Sequence, residues 1–277
     1  MASVALASSE RFEIGRVVER VLNVLRRNPR TLLLAALLLA AIPRAIGAAI
    51  QLVSFNAGAG PMGPGYWISG LIGLASAVVL QPALLFGVVS DLSGGKATLG
   101  QMLNVAVRTA LPALVVGVIV YIASFIGLCL LIVPGIIVAL MLCVATPARV
   151  IEGPGIMRAL SRSSELTQGS RWAILGFFVV LFVLSLLFSM LVGLVVSLLG
   201  LESGYGAVFS LFTNPRASSE IVRTSMSWSH WPTLLVVGPL VASFQTLIGA
   251  AAIASVYYEL RWVKDGVRGE SLAAAFD

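Results

Sequence analysis

Leu111 to Thr146 is a run of 36 residues without a formal charge. As one helix it would be about 54 Å long at ~1.5 Å per residue. A bilayer core is about 30 Å thick and takes roughly 20 apolar residues. The run is too long for one span and fits two. Val133-Pro134-Gly135 supplies the break, because proline disfavours helix in its predecessor and suits a first helical turn. Four further apolar runs have near-bilayer length, so six spans are predicted: residues 31–53, 68–89, 109–132, 134–150, 172–199 and 233–257. Composition agrees. Of 277 residues 58% are hydrophobic and 11% are charged, against roughly 25% charged in soluble domains. Too few charges remain to cover a soluble surface, and disorder is excluded by the same arithmetic. The expected fold is an all-α, polytopic membrane bundle of six transmembrane helices with short amphipathic interfacial helices.

Lysine and arginine set the expected orientation. Fifteen of them fall in the N-terminal segment, the second and fourth connections and the tail, whereas the other side holds Arg216 and Arg223. That asymmetry places both termini in the cytoplasm. Residues 1–30 form a cytoplasmic N-terminal segment, 31–260 the membrane domain and 261–277 a cytoplasmic tail. A cleaved signal peptide is not expected: the first apolar run exceeds an h-region of about 7–15 residues and contains Arg44. The net charge of +6 fits orientation signals and anionic headgroups. Nucleic acid is not an expected partner, since the arginines flank spans and form no continuous face with stacking aromatics.

Between the spans, Phe12 to Asn28 reads as an amphipathic helix. Ile14, Val17, Val18, Val21, Leu22 and Leu25 share one face, and Asn28-Pro29 ends the helix. It is expected to lie in the inner interface, as an orienting anchor or a docking and lipid-sensing helix. Gly155 to Gln168 reads as a second short helix, with Gly169 as its C-terminal glycine. Arg158 and Arg162 lie one turn apart there, and Glu165 pairs with Arg162 at i+3. The two arginines contact phosphate or are simply solvated. Leu201 to Pro232 is the longest outer connection, with Phe209, Phe212, Trp228 and Trp231 suited to a headgroup belt and a surface helix around Ala217 to Met226.

Catalytic signatures are missing. There is no Gly-x-Ser-x-Gly elbow, no phosphate-cradling glycine loop and no His-Glu-x-x-His. One histidine, His230, and two cysteines, Cys129 and Cys143, are too few for a multi-His or multi-Cys metal centre. No enzymatic activity, metal or cofactor is expected. No aspartate or glutamate lies centrally in any span, which argues against a buried carboxylate relay. Arg44 is the exception. Thirteen residues into the first span, it lies about 20 Å along the helix, where a lipid-facing arginine costs at least about 2.5–3.5 kcal/mol. Pro43 beside it frees a carbonyl one turn back. Arg44 is satisfied by freed carbonyls at a kink or by snorkelling outward, or it contacts a substrate or lipid phosphate. Arg108 joins Arg44, Arg158 and Arg162 as a candidate anion or lipid contact. Pro43, Pro82, Pro112 and Pro239 interrupt four spans, while Gln81 and Gln245 read as interhelical hydrogen-bonders.

Three stretches carry a resemblance. Val133-Pro134-Gly135-Ile136-Ile137 opens a span; Ala159-Leu160-Ser161-Arg162-Ser163-Ser164-Glu165-Leu166-Thr167-Gln168-Gly169 precedes the Trp172 span; Tyr257-Tyr258-Glu259-Leu260-Arg261 ends the last one. Together, in order and spacing, they resemble the membrane domain attached to some glycerophosphodiester phosphodiesterases and its stand-alone bacterial relatives. Pro134, Gly135, Arg162, Ser163, Glu165, Leu166, Gly169, Tyr258, Glu259 and Arg261 are the motif-like residues. Ser164 departs from the pattern, where the family often has a bulky aromatic. The resemblance implies six membrane helices in a bacterial membrane protein. It does not imply phosphodiesterase activity, which in two-domain relatives belongs to a separate soluble barrel. The functional expectation is a non-enzymatic protein of the bacterial cytoplasmic membrane that binds or organises lipids or a protein partner. The alternatives are a transporter of a lipid-derived or small anionic solute and, third, a membrane-embedded enzyme.

Overall fold

The computed structural model describes residues 12–60, 62–153, 155–199 and 230–265. The described residues are helical and contain no strand. Helix α1 is Ile14–Arg27. The first span, Pro29–Ala59, is built from α2 (Pro29–Ala36), a π-helical turn (Leu37–Ala41), α3 (Ile42–Ser54) and a second π turn (Phe55–Ala59). Then follow α4 (Pro64–Leu92), α5 (Leu99–Leu130), α6 (Ile132–Leu142), α7 (Ala145–Glu152), α8 (Ile156–Thr167) and α9 (Arg171–Leu198). A π turn at Thr233–Val237 leads into α10 (Gly238–Asp265). Six of the described helical segments are long and apolar enough to cross a membrane, so the chain is a multi-pass, all-α membrane protein. The expected belt residues Phe209, Phe212 and Trp228 and the surface helix around Ala217 lie outside the described residues.

The helices overrun the apolar stretches. Helix α5 starts at Leu99 because Thr98 caps it: the Thr98 hydroxyl accepts from the Gln101 N–H, and the Gln101 side chain accepts from the Thr98 N–H at 2.9 Å. A hydrophobic run marks only the hydrocarbon-embedded part of a span, whereas backbone hydrogen bonding continues to the next cap. The short helices fall where expected. Asn28 ends α1, and Gly169, with φ of 88°, takes the left-handed position after α8 that a side chain would strain.

The chain divides into two compact units. Unit 1 comprises Met1–Ala35, Val78–Val179 and Leu247–Asp277; unit 2 comprises Ala36–Ala77 and Val180–Thr246. In unit 1, α5 and α6 form the hairpin expected from the 36-residue run. The chain reverses at Leu131, which is extended (φ −159°, ψ 137°), and not at Val133-Pro134. Proline 134 sits in the first turn of α6, where its missing N–H is not needed. Starting the helix earlier carries Gly135 to the crossing with α5. A Cβ on Gly135 would lie 2.5 Å from Leu128 N, 2.6 Å from Leu128 Cα and 2.8 Å from Gly127 C. The two backbones touch, and a side chain has no room between them.

The fourth span is also not one helix. It breaks at Cys143-Val144 between α6 and α7, which leaves Met141 O without its helical donor. Ser163 Oγ on α8 donates to that carbonyl at 2.7 Å. Ser163, Leu166 and Thr167 are buried, so α8 closes over the break as a packed element. Helix α1 is docked as well. Val17, Val21 and Val24 are buried, and a Cβ on Gly176 of α9 would lie 3.6 Å from Ile14 Cδ1. Val18 and Leu22, expected on the same face, stay exposed. The apolar sector of α1 is thus split between protein contact and an open flank, because the helix lies against the bundle.

In unit 2 the prolines have a visible consequence. Proline lacks an N–H and its ring crowds the carbonyl four residues back. The turns before Pro43 and Pro239 widen to π geometry, with the Ile42 N–H reaching Leu37 O and the Gly238 N–H reaching Thr233 O. Leu39 O, whose ordinary donor would be residue 43, accepts from Ser76 Oγ of α4. Gly47 and Ser69 meet closely, since a Cβ at 47 would be 2.8 Å from Ser69 Oγ. Gln245 Nε2 donates to Ser189 Oγ at 2.8 Å, the interhelical bond expected of Gln245.

Gly135→Ala should lower stability by about 1–3 kcal/mol, the usual cost of forcing atoms into a filled site. Gly117→Ala, where a Cβ meets nothing within 4 Å, should be neutral or gain up to about 1 kcal/mol in helix propensity. Thermal unfolding in detergent distinguishes the two; equal effects would refute the close crossing.

Candidate functional site

The last turns of α10 gather most of the described ion pairs. Tyr257, Arg261 and Asp265 follow each other at i, i+4 and i+8, so they share a helix face. That face meets α7 and α8. The buried Tyr257 hydroxyl donates to Glu152 Oε1 at 2.7 Å, and Arg261 Nη1 donates to the Tyr257 oxygen at 3.4 Å. Arg162 Nε donates to Glu152 Oε2 at 3.3 Å, and Arg162 Nη2 donates to Asp265. Arg261 Nε lies 3.7 Å from Asp265 Oδ2. Burial disfavours the Arg162 guanidinium, but its bond to Asp265 and the charges of Glu152 and Asp265 outweigh that and raise its pKa. A raised arginine contributes its full stability below its ordinary, strongly alkaline pKa and loses it only as pH rises through the still higher folded value. This half of the pair is therefore constant over any ordinary pH range.

Tyr258, Glu259 and Trp262 reach α1 instead. The Glu259 side chain is 1% exposed; Arg16 Nη2 lies 3.0 Å from Oε1, and Arg20 Nη1 donates to Oε2. The Arg20 guanidinium also sits 5.0 Å from the Tyr258 and Trp262 ring centroids, within cation–π range. Burying Glu259 alone would cost several kcal/mol, and the two planar guanidinium forks offset that cost. The cluster holds α1 and α8 to the end of α10. Its carboxylates are neutralised by arginines, so they are not presented as free bases. No group of three His, Cys, Asp or Glu able to hold a metal gathers among the described residues.

Arg44 is a different case. Its Nη2 donates to Thr246 Oγ1 at 3.1 Å. The Thr246 hydroxyl proton is committed to Ala242 O at 2.7 Å, so Thr246 serves Arg44 as acceptor. Nη1 is buried and has no hydrogen-bond partner. The carbonyl freed by Pro43 is Leu39 O, which Ser76 already satisfies. Arg44 is thus not the carbonyl cap that the sequence allowed. Among the described residues of unit 2 it is the only lysine or arginine, and there is no aspartate or glutamate. No described residue of unit 2 compensates the guanidinium.

The other expected site residues scatter. Arg108 and Arg158 are exposed. Arg162 is occupied by Glu152 and Asp265 and does not pair with Glu165; Glu165 Oε1 accepts from Ser161 Oγ at 3.1 Å instead. The stronger partners lie on other elements, out of reach of an i+3 rule. The motif-like residues divide by role. Arg162, Glu259 and Arg261 belong to the ion pairs, Tyr258 to the aromatic clamp, Ser163 and Leu166 to the docking of α8, Gly169 to its end, and Pro134 and Gly135 to the hairpin. Sequence reasoning missed Glu152, Ser76 and Thr246. Pro43 signalled that a donor was needed, but nothing local pointed to Ser76. It also missed Asp91, a 1%-exposed carboxylate at the end of α4 whose oxygens accept no hydrogen bond; Arg27 and Lys96 are its charged neighbours.

Fold and site define a multi-pass helical membrane protein with an intramembrane arginine that no described acid compensates and a separate, internally paired charge cluster. Compared with known family models, curated proteins and solved structures, the chain matches none.

Glu259→Gln should leave Arg20 without its anion and take one of Arg16's partners, and cost on the order of 3 kcal/mol. Released α1 should then become sensitive to trypsin at Arg20, Arg26 and Arg27. Glu13→Gln removes only an exposed i,i+3 pair and should stay within about 0.5 kcal/mol of the parent. Unchanged trypsin resistance of Glu259→Gln would show that α1 is held by its valines alone.

Proposed function

We propose that the chain is a non-enzymatic protein of the bacterial cytoplasmic membrane that binds and organises anionic lipids, with Arg44 as the headgroup contact. The observation that carries this reading is the free Nη1 of Arg44 in a unit with no described carboxylate. An unpaired guanidinium at this depth is costly unless an anion meets it. Lipid is favoured as the source because Arg44 stands among helices whose apolar side chains are open. In unit 2, Ile46, Leu184, Leu191 and Leu240 are all about half exposed, so acyl chains can lie along the same helices. Transport of a lipid-derived or small anionic solute is the second reading. It draws on the π turns before Pro43 and Pro239, since interrupted helices accompany binding sites in transporters.

In this proposal both termini are cytoplasmic, on the strength of the fifteen-to-two basic asymmetry. The chain is read as a relative of the membrane domain of glycerophosphodiester phosphodiesterases. In support, Arg162, Glu259 and Arg261 serve the anchoring of short helices to the end of α10, and Ser163 seats α8 on Met141 O of α6.

Two measurements test these statements. Native mass spectrometry of protein extracted with its own lipids should show bound anionic lipid, reduced several-fold in Arg44→Gln and Arg44→Leu. Both variants should stay folded, and Arg44→Leu should be as stable as the parent or more so, because an unpaired buried charge disappears. Undiminished lipid in both would remove Arg44 from the site. Reporter fusions after Gly95, Gly155, Ser218 and Gly266 should place only Ser218 outside; an external Gly266 would refute the orientation.

A further inference from the structure

The surroundings of Arg44 limit the charge of what it can hold. One arm of its fork is fixed: Nη2 rests on Thr246, whose own proton goes to Ala242 O. The other arm, Nη1, has no acceptor. Leu39 O, four residues before Pro43, is already met by Ser76. A ligand oxygen is therefore the group this arm lacks. The described residues of unit 2 bring a charge of +1, from Arg44, with no second lysine or arginine and no acid among them.

Resting on the lipid-binding reading above, we propose that the Arg44 site takes an oxyanion of charge −1, as in a phosphodiester, and discriminates against a phosphomonoester dianion. A monoanion on Nη1 leaves the pair neutral. A dianion leaves one excess negative charge that no other described lysine or arginine of unit 2 meets, and an unpaired buried charge is strongly unfavourable. The second ionisation of a phosphomonoester lies near pH 6 in simple cases, so the two classes separate above neutral pH. Thr246 is assigned a positioning role. It holds the fork so that Nη1 is presented, and it does not contribute charge.

The test uses full-length, delipidated protein in uncharged detergent at about pH 8.5, where the monoester is doubly charged. Phosphatidylglycerol, phosphatidic acid and dimethyl phosphate are added separately, and retention is read by native mass spectrometry. Phosphatidylglycerol should be retained at least about tenfold better than phosphatidic acid, equivalent to ~1.4 kcal/mol. Arg44→Gln should abolish the difference. Arg44→Lys keeps the charge but not the fork, so it should bind more weakly with the same order of preference. Thr246→Val should weaken retention and leave the preference unchanged.

Arg44-dependent binding in which phosphatidic acid equals or exceeds phosphatidylglycerol would overturn the charge rule and leave the lipid reading standing. Dimethyl phosphate bound as well as phosphatidylglycerol would keep the charge rule and overturn the lipid reading in favour of a soluble anion. Retention that ignores Arg44 altogether would overturn both.

Discussion

A backbone carbonyl inside hydrocarbon must find a donor, and much of this structure follows from how that demand is met. An unbroken helix meets it internally. This chain breaks several of its spans, with prolines at 43, 147 and 239 close to the irregular turns. Each break moves a carbonyl out of the helical ladder. Hydroxyls on neighbouring helices supply the missing donors: Ser76 for Leu39 O, and Ser163 for Met141 O. A hydroxyl is a small group that brings a donor without a charge, so it solves the problem at little desolvation cost. The two hydroxyls also fix which helices must be neighbours, α4 beside the first span and α8 beside the fourth.

The same device separates structural from available charge. Leu39 O is held by Ser76, so Arg44 is not needed to satisfy that carbonyl at the kink. With the carbonyl satisfied, the arginine keeps an unsatisfied arm. In unit 1 the opposite holds. Arg16, Arg20, Arg162 and Arg261 are matched by Glu259, Glu152 and Asp265, so their energy goes into fixing α1 and α8. Ion pairs of this kind are a weak source of net stability but a strong penalty against misplacement, since removing either partner strands the other. The end of α10 thereby specifies where two short helices sit, and it does so through two different faces of one helix.

The proposed function rests on that division. A cluster whose charges are mutually satisfied suits a scaffold, whereas a single arginine with a free donor, in a unit without described acids, suits an anion. The close Gly127–Gly135 crossing holds the α5–α6 hairpin rigid by backbone contact. The open apolar flanks of α9 and α10 leave side chains for lipid tails to cover. The helices that present Arg44 are interrupted by π turns, and interrupted helices recur at binding sites because widened turns re-aim side chains.

The sequence by itself determined what local physics controls. Hydrocarbon thickness against helix rise required the 36-residue run to fold into two spans, and the structure turns it at Leu131, within a few residues of Pro134. Capping chemistry placed the ends of α1 and α8, including the left-handed Gly169. The depth of Arg44 and the carbonyl freed by Pro43 were also legible, since both depend on residues within one or two turns. Only the tertiary structure decided the partners. Arg20 and Glu259 stand 239 residues apart, and Arg44 and Thr246 stand 202 apart. A one-letter string states that a donor or a counter-charge is needed, but many serines, threonines and carboxylates satisfy the chemistry equally. The choice among them is made by which helices pack side by side, and packing is a property of whole surfaces, which no short window of sequence contains.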